Sequence, residues 1–404
     1  MKPSPVHTDL QRMIDIVPSD AADFSWDAIT NIFPFLAELE KSTQDPIHHQ
    51  EGTVGIHTRM VINELVSSVD YRDLSSRDRF KMFWTAVFHD SGKPATREEL
   101  ADGRITNVGH SRLGALIARE NLRAKHVPFF LREEICNLIY LHQWPFYLWE
   151  TNERRSEMQQ RKDAIKSSLM SDTRHLLMHA TADAKGRVSA DNAGIVERVG
   201  LTGLLFEEQG ILGRTYEFAN NESRVACFDH EDREPGHAAR EDFRCHVTVM
   251  CGLQGSGKDT WLAENRSDRP TVSFDQLRVD MKISHSDNQG AVAQAAQELA
   301  KTYLRAGQNF SWNATNVLPE MRGKVLRLLR AYNAEIEIVY IETLPEVLLK
   351  QNANRKAAVP VDAINRLVRK MEPPQPWEAH SIRHVLPDAL TNEFMFEKLP
   401  ILSP

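Results

Sequence analysis

The chain has 404 residues, a formal net charge of −7 and 41% hydrophobic residues: length for two or three domains at roughly 150 residues each, and enough apolar matter for either half to close its own core. The acidic balance argues against a broad surface that coats nucleic acid, while leaving room for local basic grooves around a phosphate. No run of about eighteen apolar residues argues for a membrane span, and Pro3, Pro5, His7 and Asp9 stand where a signal peptide needs an apolar stretch. Four cysteines, Cys136, Cys227, Cys245 and Cys251, form no CxxC pair and no Cys/His finger, so reduced, mostly buried thiols in a cytoplasmic protein are the expectation.

After an N-terminal extension (1–23), residues 24–199 carry apolar positions at i, i+3, i+4 and i+7, as in Arg77 to His89 and Arg132 to His142. That spacing predicts an all-α domain. His57, His89-Asp90, His110, His142 and Asp183 are spread along it. Imidazole and carboxylate donors suit Mn, Fe, Co, Ni or Zn, and such an ion lowers the pKa of a bound water and polarises a phosphoryl group. Gly92 and Pro94 terminate the helix that bears His89-Asp90, and Lys93 and Arg97 follow one turn on, placed to bind an anionic substrate. Each histidine alone reads more readily as a satisfied core or surface residue; it is the series that points to a metal. His48 and His49 read as loop decoration, His175 and His179 as packing or support for Asp183, and His230 and His237 as solvated.

Residues 200–243 turn polar, with Glu231-Asp-Arg-Glu-Pro-Gly236 in succession, and read as a linker. Residues 244–404 then alternate strand and helix. Cys245 to Leu253, Pro270 to Phe274, Gln308 to Trp312 and Glu335 to Glu342 read as strands; Gln289 to Arg305 and Pro319 to Tyr332 read as helices. Such alternation implies an α/β domain with a parallel sheet.

The first of these strands runs into Gly252-Leu-Gln-Gly255-Ser256-Gly257-Lys258-Asp259-Thr260. A glycine turn between strand and helix cradles phosphates with backbone N–H groups, and the lysine bridges the terminal phosphates of ATP. Asp259 replaces the usual hydroxyl ligand of Mg2+; its carboxylate could hold the ion directly or through water, with Thr260 adjacent. Asp275 and Arg278 follow the second strand, expected to end beside the glycine loop. A carboxylate there can accept a proton from an attacking hydroxyl while Arg278 steadies a phosphate; spacing alone equally allows a helix cap and a solvated arginine. Lys350 to Lys370 holds six basic residues, among them Arg355, Arg366 and Arg369, against one acidic residue, and reads as a basic lid or as a solvated face.

Gly252-x-x-Gly-Ser-Gly-Lys258, Asp275-x-x-Arg278, Asn313-Ala-Thr-Asn316 and an Arg-bearing lid together resemble the polynucleotide 5′-hydroxyl kinases. The resemblance implies Asp275 as general base on the 5′-OH, Arg278 on a phosphate and Arg355 on ATP. The series His…His-Asp…His…His…Asp with Gly-Lys-Pro after it resembles the HD phosphohydrolases over roughly 55–187. It implies one ion on His57, His89, Asp90 and Asp183, and a second on His110 and His142. The order of the two halves, with Tyr216-Glu-Phe-Ala between them, resembles the bacterial bifunctional HD-domain polynucleotide kinases of RNA end healing. That implies ATP and Mg2+ at one site, a divalent transition metal at the other, and RNA or DNA ends as substrates. An RNA ligase is then an implied partner, and a homo-oligomer is left open. Two rival readings are a nucleotide phosphohydrolase fused to a nucleoside or metabolite kinase, and a nucleotide-sensing regulator.

Overall fold

Short polar side chains set the helix starts in the computed structural model, which describes residues 5–19, 24–149, 156–283, 289–355, 358–393 and 396. Thr53 Oγ1 accepts from the Ile56 amide (3.3 Å), Ser75 Oγ from Asp78 (3.1 Å) and Asp172 Oδ1 from Arg174 (2.9 Å). Each cap satisfies an amide that the first helical turn leaves without a partner.

Five helices frame the first unit: α1 (Val54–Ser67), α2 (Ser76–Phe88), α3 (His110–Ala124), α4 (Phe129–Leu141) and α5 (Thr173–Lys185). α1 packs on α2 and α5, and α4 packs on α2 and α3. Leu65, Phe83, Trp84, Phe88, Leu122, Ile135 and Leu138 close the core between them, each contributing about 1.5–3 kcal/mol by leaving water. α2 and α4 stop one residue short of His89 and His142, which keep right-handed helical angles as C-caps. Pro94 opens a new short helix, Lys93–Thr96, after the break.

The unit spans the residues up to Tyr216 together with the segment from Asp388. Arg77 Nε meets Glu393 Oε2 at 2.6 Å, and the rings of Phe80 and Phe396 lie edge to face at 5.1 Å. The segment expected as a linker, 200–243, carries helix in two places. A helix Asn192–Glu208 runs through its start, and a helix Asn221–Asp229 sits inside it. Arg224 of the latter donates to the carbonyls of Pro376 (2.9 Å), Ala379 (3.2 Å) and His380 (2.8 Å), which ties that helix into the second unit, Glu217–Pro387.

The second unit holds a five-stranded, wholly parallel sheet: β1 (Cys245–Cys251), β2 (Thr271–Ser273), β3 (Phe310–Asn313), β4 (Ala334–Ile341) and β5 (Ser381–Val385), in spatial order β2-β3-β1-β4-β5. β1 and β4 pair from Cys245↔Ala334 to Cys251↔Tyr340. Both are buried almost throughout, as a sheet covered on two faces requires. β5 escapes sequence reading because Ser381, Arg383 and His384 break its apolar pattern. The basic segment read as a lid or a solvated face folds as two short helices, Pro345–Ala353 and Val361–Val368, with Arg366 and Arg369 exposed; Lys356 lies outside the described residues. No helix among the described residues is long and apolar enough to cross a membrane.

Candidate functional site

Four histidines of the first unit are oriented by one device. His89 Nδ1 lies 2.8 Å from the Ala86 carbonyl, His110 Nδ1 2.7 Å from Asn107 and His142 Nδ1 2.7 Å from Ile139, in each case three residues back; His57 Nδ1 lies 3.0 Å from the Gly186 carbonyl. A carbonyl only accepts, so each Nδ1 carries the proton and each Nε2 is left as a lone-pair donor. All four Nε2 atoms converge on Asp90. Its Oδ2 is 3.2 Å from His89 and 3.6 Å from His57; its Oδ1 is 3.4 Å from His110 and 3.7 Å from His142. Asp90 thus belongs to two three-donor clusters, one with His57 and His89 and one with His110 and His142. Asp183 adds a carboxylate oxygen 3.1 Å from His57 Nε2 and is itself held by Arg187 at 2.6 Å.

Burial by itself would raise the Asp90 carboxyl, but the charges of His89 and Lys93 outweigh it and hold the group well below its usual range. Burial would likewise raise Asp183, and Arg187 and His57 reverse the sign. For His142, burial and then the neighbouring His110 and His89 push protonation well below the ordinary value. Burial would lower His57 too, but its hydrogen bonds to Asp183 and Glu51 outweigh it and raise the group. The centre therefore keeps anionic carboxylates beside imidazoles that are pushed in opposite directions. His57 Nε2, His89 Nε2 and both Asp90 oxygens are sealed from solvent with no well-formed hydrogen bond among the described residues. Buried polar atoms left in that state call for a ligand, and nitrogen plus carboxylate donors fit a divalent transition metal. His57, His89 and Asp90 fit one ion, with Asp183 beside His57; Asp90, His110 and His142 fit a second.

Lys93 is not a free anion receptor. Its ammonium sits 2.6 Å from Asp90 Oδ2 and donates to Gln44 Oε1 at 2.6 Å, with the residue buried. Arg97 is more open and pairs with Glu99 at 3.1 Å. His49, read as loop decoration, packs against Glu51 (2.7 Å), which also stands 3.2 Å from His57 Nδ1; His48 is exposed. His175 and His179 part company. His175 Nδ1 is nearest Asp172 Oδ2 at 3.9 Å, whereas the His179 ring stands 5.3 Å from His89 and 6.0 Å from His142. Burial, then the His89 charge, pulls His179 down to about 3. Gln44, Glu51 and Arg187 were passed over in the sequence: Gln44 meets Lys93 from far along the chain, whereas Glu51 and Arg187 stand close to His57 and Asp183, and that proximity was the signal available.

In the second unit the glycine loop follows β1. A Cβ on Gly252 would fall 2.6 Å from the Ile341 carbonyl oxygen, so the loop can pass β4 only as glycine. Gly255 (φ +80°) and Gly257 (φ +95°) take the left-handed angles that glycine permits, and α6 (Lys258–Asn265) starts at once. Lys258 Nζ donates to the carbonyls of Gly252 (2.9 Å) and Leu253 (2.8 Å), and burial lowers it to about 8. Ser256 Oγ is buried without a hydrogen-bond partner among the described residues. Asp259 and Thr260 are exposed, and Asp259 Oδ1 accepts from Asn313 Nδ2 at 2.6 Å.

The strand beside β1 on this side is β3. The expected neighbour, β2, is one strand further out. Asn313, at the end of β3, is accordingly the residue that reaches the loop. Asn316 completes that turn at φ +49°, donating to the Met250 carbonyl (2.9 Å), while the Gly252 amide donates to the Thr315 carbonyl (2.9 Å). Arg322 locks the turn from behind. Fully buried, it holds both oxygens of Glu378 (2.6 and 2.7 Å) and donates to the carbonyls of Asn316 (2.9 Å) and Glu372 (3.1 Å). Asp275, in helix α7 (Phe274–Met281), has Arg278 on one oxygen (2.7 Å) and Arg355 on the other (3.0 Å). Arg355 is thus brought to Asp275. The lid's first helix reaches the loop as well, since a Cβ on Gly255 would meet the Asn352 backbone at 3.3 Å.

Comparison with known proteins agrees with this division. The family model of the HD domain matches residues 54–166, and that of an AAA domain matches residues 247–374. The chain thus joins an HD domain to a P-loop, kinase-like domain. Asp183 lies beyond the HD match, so its place in the centre stands on geometry. A crystal structure from Chloroflexus aurantiacus, described as that of a candidate kinase, aligns over 39% of this chain and 93% of its own at 16% identity and a TM-score of 0.31. That likeness is too slight to carry weight.

Proposed function

We propose that the chain heals nucleic-acid ends, removing a 2′,3′-cyclic or terminal phosphate in its HD domain and phosphorylating a 5′-OH from ATP in its P-loop domain. The observation that carries this is the pairing, on one chain, of an Asp90-centred donor cluster with a glycine loop whose unit also holds a carboxylate between two arginines. Transesterification of RNA leaves a cyclic phosphate and a 5′-OH, and these two chemistries convert that pair into the ends an RNA ligase joins.

At the first site, His57, His89, Asp90, Asp183, His110 and His142 would hold divalent metal, which supplies an activated water and polarises the phosphoryl group. Lys93 fixes the Asp90 carboxylate, Arg187 fixes Asp183, and the four Nδ1–H···O=C bonds fix the ring planes. Arg97, at the more open edge, is placed for the substrate's phosphate. At the second site, the loop amides and Lys258 would take the ATP phosphates, and Asp259, which accepts from Asn313, would hold Mg2+ directly or through water. Asp275 accepts the proton of the acceptor hydroxyl. Arg278 and Arg355, held on its two oxygens, would steady the transferring phosphate.

The test is an RNA oligomer with a 5′-OH and a 2′,3′-cyclic phosphate, incubated with labelled ATP and a series of divalent metals. Asp275→Ala is expected to abolish 5′ labelling and spare phosphate removal; Asp90→Ala is expected to do the reverse. Good turnover of mononucleotides with no gain from chain length would replace this reading with a metabolite kinase and phosphatase.

A further inference from the structure

Among the described residues, His179 is the one fully buried histidine of the first unit that the ligand pattern leaves unused. Neither of its ring nitrogens has a hydrogen-bond partner among the described residues. A histidine that merely fills a core satisfies at least one nitrogen, because a buried imidazole without partners costs about 1–3 kcal/mol that a leucine of similar size would not. The position is therefore expensive as packing and asks for another explanation.

Its surroundings supply one. His179 stands on α5 one helical turn before Asp183, so both side chains leave the same face of the helix. Its ring centroid is 5.3 Å from that of His89. The rings of the donor clusters stand to each other at the same spacing: 5.4 Å for His57 and His89, 5.3 Å for His89 and His142, and 5.3 Å for His110 and His142. His179 thus closes the wall of imidazoles around Asp90. It joins neither three-donor cluster, however; those are completed by His57 with His89 and by His110 with His142.

We infer that His179 is a positioning residue of the hydrolase centre, whose imidazole hydrogen-bonds a water held among His89, His142 and Asp90 and so orients that water for attack on the phosphoryl group. The inference rests on the hydrolase half of the function proposed above and names a residue that reading does not use. The reaction gains no new step: the water's oxygen still forms the bond to phosphorus, the ester oxygen still leaves, and His179 only fixes the direction of one hydrogen bond.

The experiment compares His179→Leu, a substitution of similar size that improves packing, with His179→Asn, which restores a donor and an acceptor. Three readouts are taken on the full chain: hydrolysis of the cyclic-phosphate RNA and of bis(p-nitrophenyl) phosphate, bound metal per chain after Mn2+ loading, and 5′-kinase activity as a control for folding. His179→Leu is expected to lower kcat for hydrolysis by roughly ten- to a hundredfold, the range for groups that orient a metal site's occupants. KM, metal content and kinase activity should stay within about twofold, and His179→Asn should recover part of the rate. Full hydrolysis by His179→Leu would make the residue simple core and overturn the inference, and loss of bound metal would overturn it in favour of a direct ligand. If the unaltered chain hydrolyses neither substrate with any metal, the proposed hydrolase itself fails, an outcome distinct from both.

Discussion

Arg322→Met is the substitution for which the structure sets the clearest magnitude. The guanidinium is fully buried and satisfies Glu378 with two bonds and the carbonyls of Asn316 and Glu372 with one each. Burial opposes its charge, yet the Glu378 carboxylate more than compensates and raises it above the usual arginine range. Removing one partner of such a pair strands the other, at a cost of about 3–5 kcal/mol. For a unit of this size each kcal/mol moves the melting temperature by about 2–4 °C, so a fall of roughly 6–20 °C is expected for the second unit. Calorimetry of the full chain, with residual kinase and hydrolase activity assayed after heating, separates that transition from the first unit's. The double variant Arg322→Met with Glu378→Leu removes both charges and should recover most of the loss. A single variant within about 1 kcal/mol of the parent, or a double variant less stable than the single, would show that the network does not hold the turn as described.

Other consequences are as direct. A Cβ on Gly92 would fall 2.8 Å from the Gly114 amide nitrogen and collide with the His110 carbonyl oxygen; Gly92→Ala should push the Asp90 turn off α3 and cut hydrolysis by about a hundredfold, with kinase activity intact. Unchanged hydrolysis would mean that the turn yields without moving Asp90. For Lys258, burial depresses the folded-state value from 10.5 to about 8, so between those values the unfolded chain carries the extra proton. Stability of the ATP-free second unit should therefore rise with pH through that window. ATP binding, which favours the charged lysine, should weaken over the same window and take up protons. Calorimetric titration in buffers of differing ionisation enthalpy reads that uptake, and its absence in Lys258→Met assigns it. Chelating divalent metal should lower the first unit's melting transition, and Mn2+ at a hundred times its Kd should return about 2.7 kcal/mol. A transition indifferent to metal would be incompatible with the Asp90 cluster as an ion site.

Elements whose pattern is local were legible in the sequence. The glycine loop is flanked by a β-branched run and a helix start, so Gly252, Lys258 and the strand ahead of them could be located at once. The helices ending at His89 and His142 follow from apolar spacing. Positions fixed by distant partners were not legible. β5 lacks an apolar run because its side chains meet Glu337 and solvent, with Arg383 Nε 3.1 Å from that carboxylate. Lys93 sits where a phosphate-binding lysine would be expected, and only the fold shows that Asp90 and Gln44 already occupy it. Strand order, too, is a property of the sheet: the interposition of β3 between β1 and β2 turns Asn313 from a family motif into the neighbour of Asp259.

The return of the chain from Asp388 to the helical unit has a consequence for biosynthesis. Arg77 sits between Glu134 (2.7 Å) and Glu393 (2.6 Å), and Phe80 lies against Phe396. Those last two partners leave the ribosome only after every strand of the sheet has been translated. A nascent or prematurely terminated chain would thus uncover one side of Phe80 and leave Arg77 without Glu393. The hydrolase half acquires its full set of contacts only when the kinase half has already been made.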